Sequence, residues 1–230
     1  MTRSAFKRTF LDTVPVMTGY LFLGAGLGIL LSEKGYGAGW SFLMSLTVYA
    51  GSCQYLLVSL LASKAPLLTT AAATLLVNAR HLFYGISMVD TYRDAGRKKP
   101  YLIFSLTDET YSLVTQNKVP EGMSRIGYCF MVSVLDHCYW LAGCVLGSVA
   151  GALLPLDFKG VEFVLTALFV TMFVEQWLST KRHGPAIIGV MSTTLCLLIF
   201  GSEVFLIPSM VVIALLLMIS QKTGRRESHE

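Results

Sequence analysis

In the run Val77-Asn78-Ala79-Arg80-His81-Leu82-Phe83-Tyr84 an arginine and a histidine stand inside an otherwise apolar stretch. A full charge at the centre of a bilayer costs at least about 2.5 kcal/mol on insertion scales, so a chain that keeps one there gives it a partner and a task. Arg80 stays protonated at any relevant pH and presents a fork of donors that suits a carboxylate. Two readings are open: it binds a substrate carboxylate, or it pairs permanently with Asp108, Glu109 or Asp136. His81 either relays protons or sits as a neutral ring bonded to a neighbouring helix. Asn78 falls three residues earlier on the same helical face. Tyr84 follows one turn after Arg80 and Ser87 about one turn later, a polar stripe of the kind that lines a helix interface or a cavity rather than lipid.

Three further clusters have chemical content. Thr107-Asp108-Glu109 puts two acids side by side in a mostly apolar stretch. Adjacent helical residues point about 100° apart, so one acid is able to face Arg80 while the other titrates or caps a half-helix. In an interfacial loop both acids would be ordinary surface charges. Asp136, followed by His137, lies near the middle of the run Tyr128–Leu154, where an acid must be neutral or paired. Tyr49-Ala50-Gly51-Ser52-Cys53-Gln54 interrupts another apolar run with small residues and an amide. Gly51 and Ser52 allow close packing or unwinding, and backbone groups at half-helix ends bind small ions and zwitterions. Gln54 needs partners wherever it is buried. These residues give a candidate substrate site of Ser52, Gln54, Asn78, Arg80 and Tyr84, with His81, Asp108, Glu109 and Asp136 for proton coupling or charge pairing. Glu175-Gln176-Trp177 reads as an interfacial end of a helix, where a belt tryptophan is expected.

The elements that must hold these groups are membrane helices. Of 230 residues, 54% are hydrophobic and 14% charged, and the mean hydropathy is +0.62, beyond the mixture of soluble domains. Apolar runs cover 13–31, 40–62, 66–89, 128–154, 163–178, 186–200 and 204–220, most of them near the roughly 17 to 25 residues needed to cross a bilayer. The expectation is an all-α polytopic bundle of seven or eight membrane segments, some broken or re-entrant, forming one transport domain over 1–230 with short tails at about 1–12 and 221–230. The first apolar stretch reads as a retained helix, because it is long and no small-residue cleavage pattern follows. Cys53, Cys129, Cys138, Cys144 and Cys196 all lie in apolar runs without metal-ligand spacing, so no redox, metal or cofactor role is assigned. The net charge of +4 is scattered over loops and tails rather than gathered in one patch, so nucleic-acid binding gains no support.

Basic residues set orientation. With a cytoplasmic N-terminus, Lys34 is external, Lys64 internal, Lys118 and Arg125 internal, Lys159 external, and Lys181-Arg182-His183 and the tail with Lys222, Arg225 and Arg226 internal. The loop containing Arg93, Arg97, Lys98 and Lys99 then falls outside if 66–89 and 101–116 both span, and inside if both enter and return. A break at 78–81 would favour the second. A shift of 122 positions lays Leu46 on Leu168 and Gln54 on Gln176, as two related halves would.

The order of these motifs resembles a known family. Tyr49-Ala50-Gly51-Ser52-Cys53-Gln54, Asn78-Ala79-Arg80-His81 with Tyr84, and Thr107-Asp108-Glu109 with Tyr111 are similar to the aromatic-AGS-x-Q, NARH-x-x-Y and TDE-x-Y signatures of the AzlC/YgaZ family of branched-chain amino-acid permeases. Phe163–Phe169 and Phe205-Leu206-Ile207-Pro208 resemble its later segments. The resemblance implies the large subunit of an exporter of valine, leucine, isoleucine, methionine and related amino acids. It implies a small membrane partner of the AzlD/YgaH type and a prokaryotic inner or cytoplasmic membrane; the basic residues add the expectation of a multi-pass chain with both termini cytoplasmic. Drive by proton exchange fits a chain with no P-loop. The rival classes are an intramembrane enzyme acting on a lipid, disfavoured by the lack of HExxH or a Ser/His dyad, and a channel or scaffold subunit.

Overall fold

The structure is a computed structural model and describes residues 3–116, 119–154, 163–179, 183–201, 205, 208–209, 211–213 and 215–217. Lys118, Lys159, Lys181, Arg182 and the basic tail lie outside the described residues, as do the side chains of Glu175 and Gln176. Nine α-helices are described: α1 (Arg3–Glu33), α2 (Ala38–Thr47), α3 (Gly51–Ala62), α4 (Leu67–Met88), α5 (Lys99–Phe104), α6 (Asp108–Thr115), α7 (Arg125–Leu153), α8 (Phe163–Ser179) and α9 (Gly184–Phe200). No strand occurs among the described residues.

Two compact units divide near Thr166. The first is organised on α1 and α7, both long and apolar enough to cross a bilayer. At 31 and 29 residues they rise roughly 45 Å each. Glycines set their approach. Gly24 and Gly28 on α1 face Gly143, Cys144 and Gly147 on α7, and a Cβ on Gly24 would lie 3.0 Å from the Cys144 amide nitrogen. Gly28-based and Gly147-based Cβ atoms would overlap the opposing backbone outright. Both helices carry small residues four apart, the spacing that lets backbones meet in a membrane. The pair runs parallel, since Thr9 meets Met123, Tyr20 meets Trp140 and Ser32 meets Gly151. The end where both helices begin is called here the near end, and the other the far end.

The run 40–62 is not one helix. Its chain breaks at Val48–Ala50, where Tyr49 takes φ 39, a left-handed conformation unusual for an aromatic residue. The Tyr49 ring stacks on His137 at 4.1 Å, which holds it there. On the way in, α2 donates from Ser41 to the Cys144 carbonyl at 2.9 Å and brings the Ser45 carbonyl 3.3 Å from His137 Nε2. On the way out, α3 takes a hydrogen bond from Trp140 at Gln54, 2.8 Å, and Tyr55 donates to the Leu23 carbonyl at 2.7 Å. The segment is a helical hairpin entering from the far end.

Helices α5 and α6 make the opposite hairpin. Lys98 lies over Phe130 at 4.8 Å, Tyr101 reaches His137 Nδ1 at 3.1 Å, and the chain turns at Ser105–Thr107. It then returns past Asp136, to which Thr110 donates at 2.8 Å. It ends where Arg125 donates to the Val114 carbonyl at 2.8 Å. The tips of the two hairpins touch, with the Tyr49 and Phe104 rings 6.2 Å apart.

Between them α4 is continuous. Its 22 residues rise about 33 Å, enough for the hydrocarbon core. It runs from the end of α3 to the near end, where Met88 and Tyr92 are buried with Leu102, Val114, Tyr128 and Val132.

Three expectations are thereby corrected. No break occurs at 78–81: Arg80 finds Asp108 and Ser52 on neighbouring elements, His81 bonds the Asn78 carbonyl on α4 itself, and the helix need not open to satisfy either. Lys64 falls at the far end with Lys34, since 40–62 doubles back. Segments 66–89 and 101–116 are not alike: the first is one continuous helix from the far end to the near end, and the second doubles back. Arg93, Arg97, Lys98 and Lys99 consequently share the near end with Arg3, Lys7, Arg8 and Arg125, and the conflict over their side disappears.

Large apolar side chains point outward, including Phe22, Leu67, Leu68, Phe83, Ile86 and Leu153, all at least 70% exposed, as a lipid-facing surface requires. In the second unit, α9 follows His183, whose ring stacks on Trp177 at 4.1 Å. It closes at Gly201, where φ 74 suits glycine. All five cysteines are free, and only Cys138 is exposed.

Candidate functional site at the meeting of two hairpins

Thr107 makes the N-cap of α6, its side chain accepting from the Thr110 amide at 3.3 Å. The cap fixes Asp108 and Glu109 in the first turn, where the helix dipole favours negative charge. The two acids diverge as adjacent helical residues must. Asp108 Oδ2 forms an ion pair with Arg80 Nη1, and Glu109 Oε2 accepts from the Tyr20 hydroxyl at 2.7 Å. Of the three acids weighed against Arg80, the structure selects Asp108.

The second Arg80 nitrogen, Nη2, donates to Ser52 Oγ at 2.8 Å. Ser52 lies in the first turn of α3, whose N-cap, Ala50, supplies no side-chain acceptor, leaving the first backbone N–H groups of α3 without a helical partner. One guanidinium thus ties the outgoing helix of the far hairpin to the returning helix of the near hairpin, midway along α4. The pair is only partly enclosed, the side chains of Arg80 and Asp108 being 29% and 25% exposed. Asp108 Oδ1 has no hydrogen-bond partner among the described residues. The arrangement sets side by side a cation, an anion with an enclosed oxygen that has no partner among the described residues, and a helix start.

Other predicted residues lie around this centre to different degrees. Tyr84, one turn along α4, stacks on Tyr111 of α6 at 4.7 Å, and Ser87 donates to the Tyr111 hydroxyl at 3.0 Å. His81 Nδ1 is 3.2 Å from the Asn78 carbonyl, with its ring edge-on to Tyr84. The side-chain oxygen of Asn78 is buried with no hydrogen-bond partner among the described residues. Gln54 belongs elsewhere. It is fully buried, accepts from Trp140 and donates to Ser45 at 3.3 Å, so its amide is used in holding the far hairpin against α7. Asp136, also fully buried, does not meet Arg80; Thr110 donates to its Oδ2, and its Oδ1 has no hydrogen-bond partner among the described residues.

Sequence reasoning missed Tyr20 and Thr110. Tyr20 shares a buried stripe with Gly24, Leu27, Gly28 and Leu31, a 3.6-residue pattern that marked it as inward-facing. Thr110 had no distinguishing signal beyond standing three residues after a capping threonine. No group of three or more His, Cys, Asp or Glu able to hold a metal occurs among the described residues.

The model of the AzlC protein family matches residues 15–154, a span that contains both hairpins and the Arg80 centre. The branched-chain amino acid transport protein AzlC of Bacillus subtilis is 38% identical over 219 residues, covering 95% of this chain and 86% of that protein. An uncharacterized membrane protein of Haemophilus influenzae is 40% identical over 214 residues, 93% and 88% of the two chains. The inner membrane protein YgaZ of Escherichia coli is 25% identical over 174 residues, 72% and 71% of the two. No solved structure matches the chain.

Proposed function

The chain belongs to the AzlC protein family of membrane transport proteins, and from that membership we propose that it exports valine, leucine, isoleucine, methionine and related amino acids in exchange for protons. What carries the reading is the Arg80–Asp108 pair held between two opposed hairpins. A zwitterionic amino acid has the same two charges as this pair. Its carboxylate replaces Asp108 on the guanidinium and meets the open N-terminus of α3, while its ammonium replaces Arg80 on Asp108. The exchange of one internal pair for two substrate pairs avoids stranding either charge, which would be strongly unfavourable. Tyr84, Asn78 and Ser52 line the place, and neighbouring apolar side chains receive the branched side chain.

Broken helices meeting at mid-depth are where transporters expose backbone groups to substrate. The near end, rich in Lys and Arg, is the cytoplasmic side by the positive-inside rule, which puts the N-terminus inside. The membrane is the inner or cytoplasmic membrane of a prokaryote. Glu109 and Asp136 are the proton-carrying acids, with Asp108 as the substrate-linked one. A small membrane subunit of the AzlD/YgaH type completes the carrier.

Leucine flux from proteoliposomes, with and without the small subunit and across imposed pH gradients, tests the proposal. The expected result is saturable leucine release that responds to the gradient. Leucine and valine release that this protein leaves unchanged under every condition would sink it.

A further inference from the structure

We propose that Tyr20, Thr107 and Thr110 form a hydroxyl relay that carries one proton between Glu109 and the buried Asp136. The four links are short and continuous: Glu109 Oε2 to Tyr20 Oη 2.7 Å, Tyr20 Oη to Thr107 Oγ1 2.7 Å, Thr107 Oγ1 to Thr110 Oγ1 3.1 Å, and Thr110 Oγ1 to Asp136 Oδ2 2.8 Å. All lie at or close to the hydrogen-bond range for oxygen pairs. The relay joins α1, the start of α6 and α7, so it bridges the spine of the molecule and the tip of the near hairpin.

Its two ends differ in the way a relay needs. Glu109 is partly exposed, while Tyr20, Thr107, Thr110 and Asp136 are buried. Asp136 is therefore reached through the hydroxyls rather than by bulk water. Capping α6 requires Thr107 only to accept from the Thr110 amide; that its hydroxyl also has a hydroxyl on each side is not needed for the cap. Asp136 Oδ1 is buried with no hydrogen-bond partner among the described residues, an arrangement that burdens an anion far more than a neutral acid.

The proton balance is simple. With Glu109 protonated, its O–H points to Tyr20, and every hydroxyl donates onward to Asp136. Glu109 passes its proton to Tyr20, Tyr20 to Thr107, Thr107 to Thr110, and Thr110 to Asp136 Oδ2. Four O–H bonds break and four form, the three hydroxyls end neutral with their hydrogens reversed, and one negative charge has moved from Asp136 to Glu109. The groups facing the relay are Arg80, Asp108 and Tyr84 near Glu109, and Tyr49, Tyr101, Tyr128, Tyr139 and His137 near Asp136.

The inference deepens the proton-exchange reading and rests on it. The test uses the full chain in proteoliposomes with labelled leucine, comparing flux driven by a pH gradient with leucine–leucine exchange, which needs no net proton movement. Thr110→Val and Tyr20→Phe remove hydroxyls with little change of shape, and Thr110→Ser restores one. Gradient-driven flux is expected to fall at least about tenfold in Thr110→Val and Tyr20→Phe while exchange stays within about twofold, with Thr110→Ser near wild type. Driven flux within about twofold of wild type in both hydroxyl-free variants overturns the relay, as does parallel loss of both fluxes in folded protein. If Glu109→Gln and Asp136→Asn uncouple transport while the hydroxyl variants do not, the relay is wrong and proton exchange stands. A wild-type flux indifferent to the gradient removes both.

Discussion

At the scale of single residues, Arg80 holds two partners on two different hairpins with two different nitrogens. That use depends on the planar fork, since a lysine is a point charge and does not hold a carboxylate and a hydroxyl in fixed relative positions. Arg80→Lys is accordingly expected to lower leucine transport about tenfold or more, although the charge is kept. Near-normal transport in that variant, measured with matched protein amounts, would show that the forked geometry is unimportant. Gln54 shows the opposite case, an amide whose two ends are both committed to the core. Its place in a motif reflects the fixing of a hairpin rather than contact with a ligand.

At the scale of elements, the hairpins turn on short irregular segments at 48–50 and 105–107. Non-helical backbone at that depth is tolerable only where protein surrounds it, and here Tyr49, Phe104 and His137 pack about the turns. The arrangement makes a topological prediction. In a Cys138→Ser background, cysteines introduced by Lys34→Cys and Lys64→Cys should react with a membrane-impermeant maleimide from one side, and Arg97→Cys from the other. Labelling of positions 34 and 64 from opposite sides would mean that 40–62 crosses, and the hairpin would be wrong.

At the scale of the whole first unit, α1 and α7 form a spine whose contact is backbone on backbone. In lipid no hydrophobic gain draws helices together, so close packing must supply the attraction. A side chain at Gly147 meets the α1 backbone at Ala25, and neither helix has anywhere to move without displacing the hairpins that lean on α7. Gly147→Leu should therefore destabilise the protein in detergent by about 1–3 kcal/mol or more. The loss should appear as an earlier unfolding transition while helical content before melting is unchanged. An unaltered transition would mean that the spine is looser than its geometry indicates.

Composition and the order of motifs were enough to establish a helical membrane protein of this family, because apolar length and a charged residue in lipid are one-dimensional properties of the chain. Thr107-Asp108-Glu109 allowed one acid to face Arg80 while the other diverged, since adjacent residues point apart on a helix, but left open a loop with both acids at the surface. Hydropathy does not distinguish a helix that crosses from one that turns back at the same length. That difference is set by which residues on α7 each segment meets, and Ser41, Gln54, Tyr101 and Val114 settle it only in three dimensions. Tertiary packing likewise chose Asp108 over Glu109 and Asp136 for Arg80, and brought Tyr20 from eighty-nine residues away onto Glu109. A hydrogen bond across that separation leaves no trace in local pattern, because its geometry is fixed by the glycine-lined approach of α1 to α7.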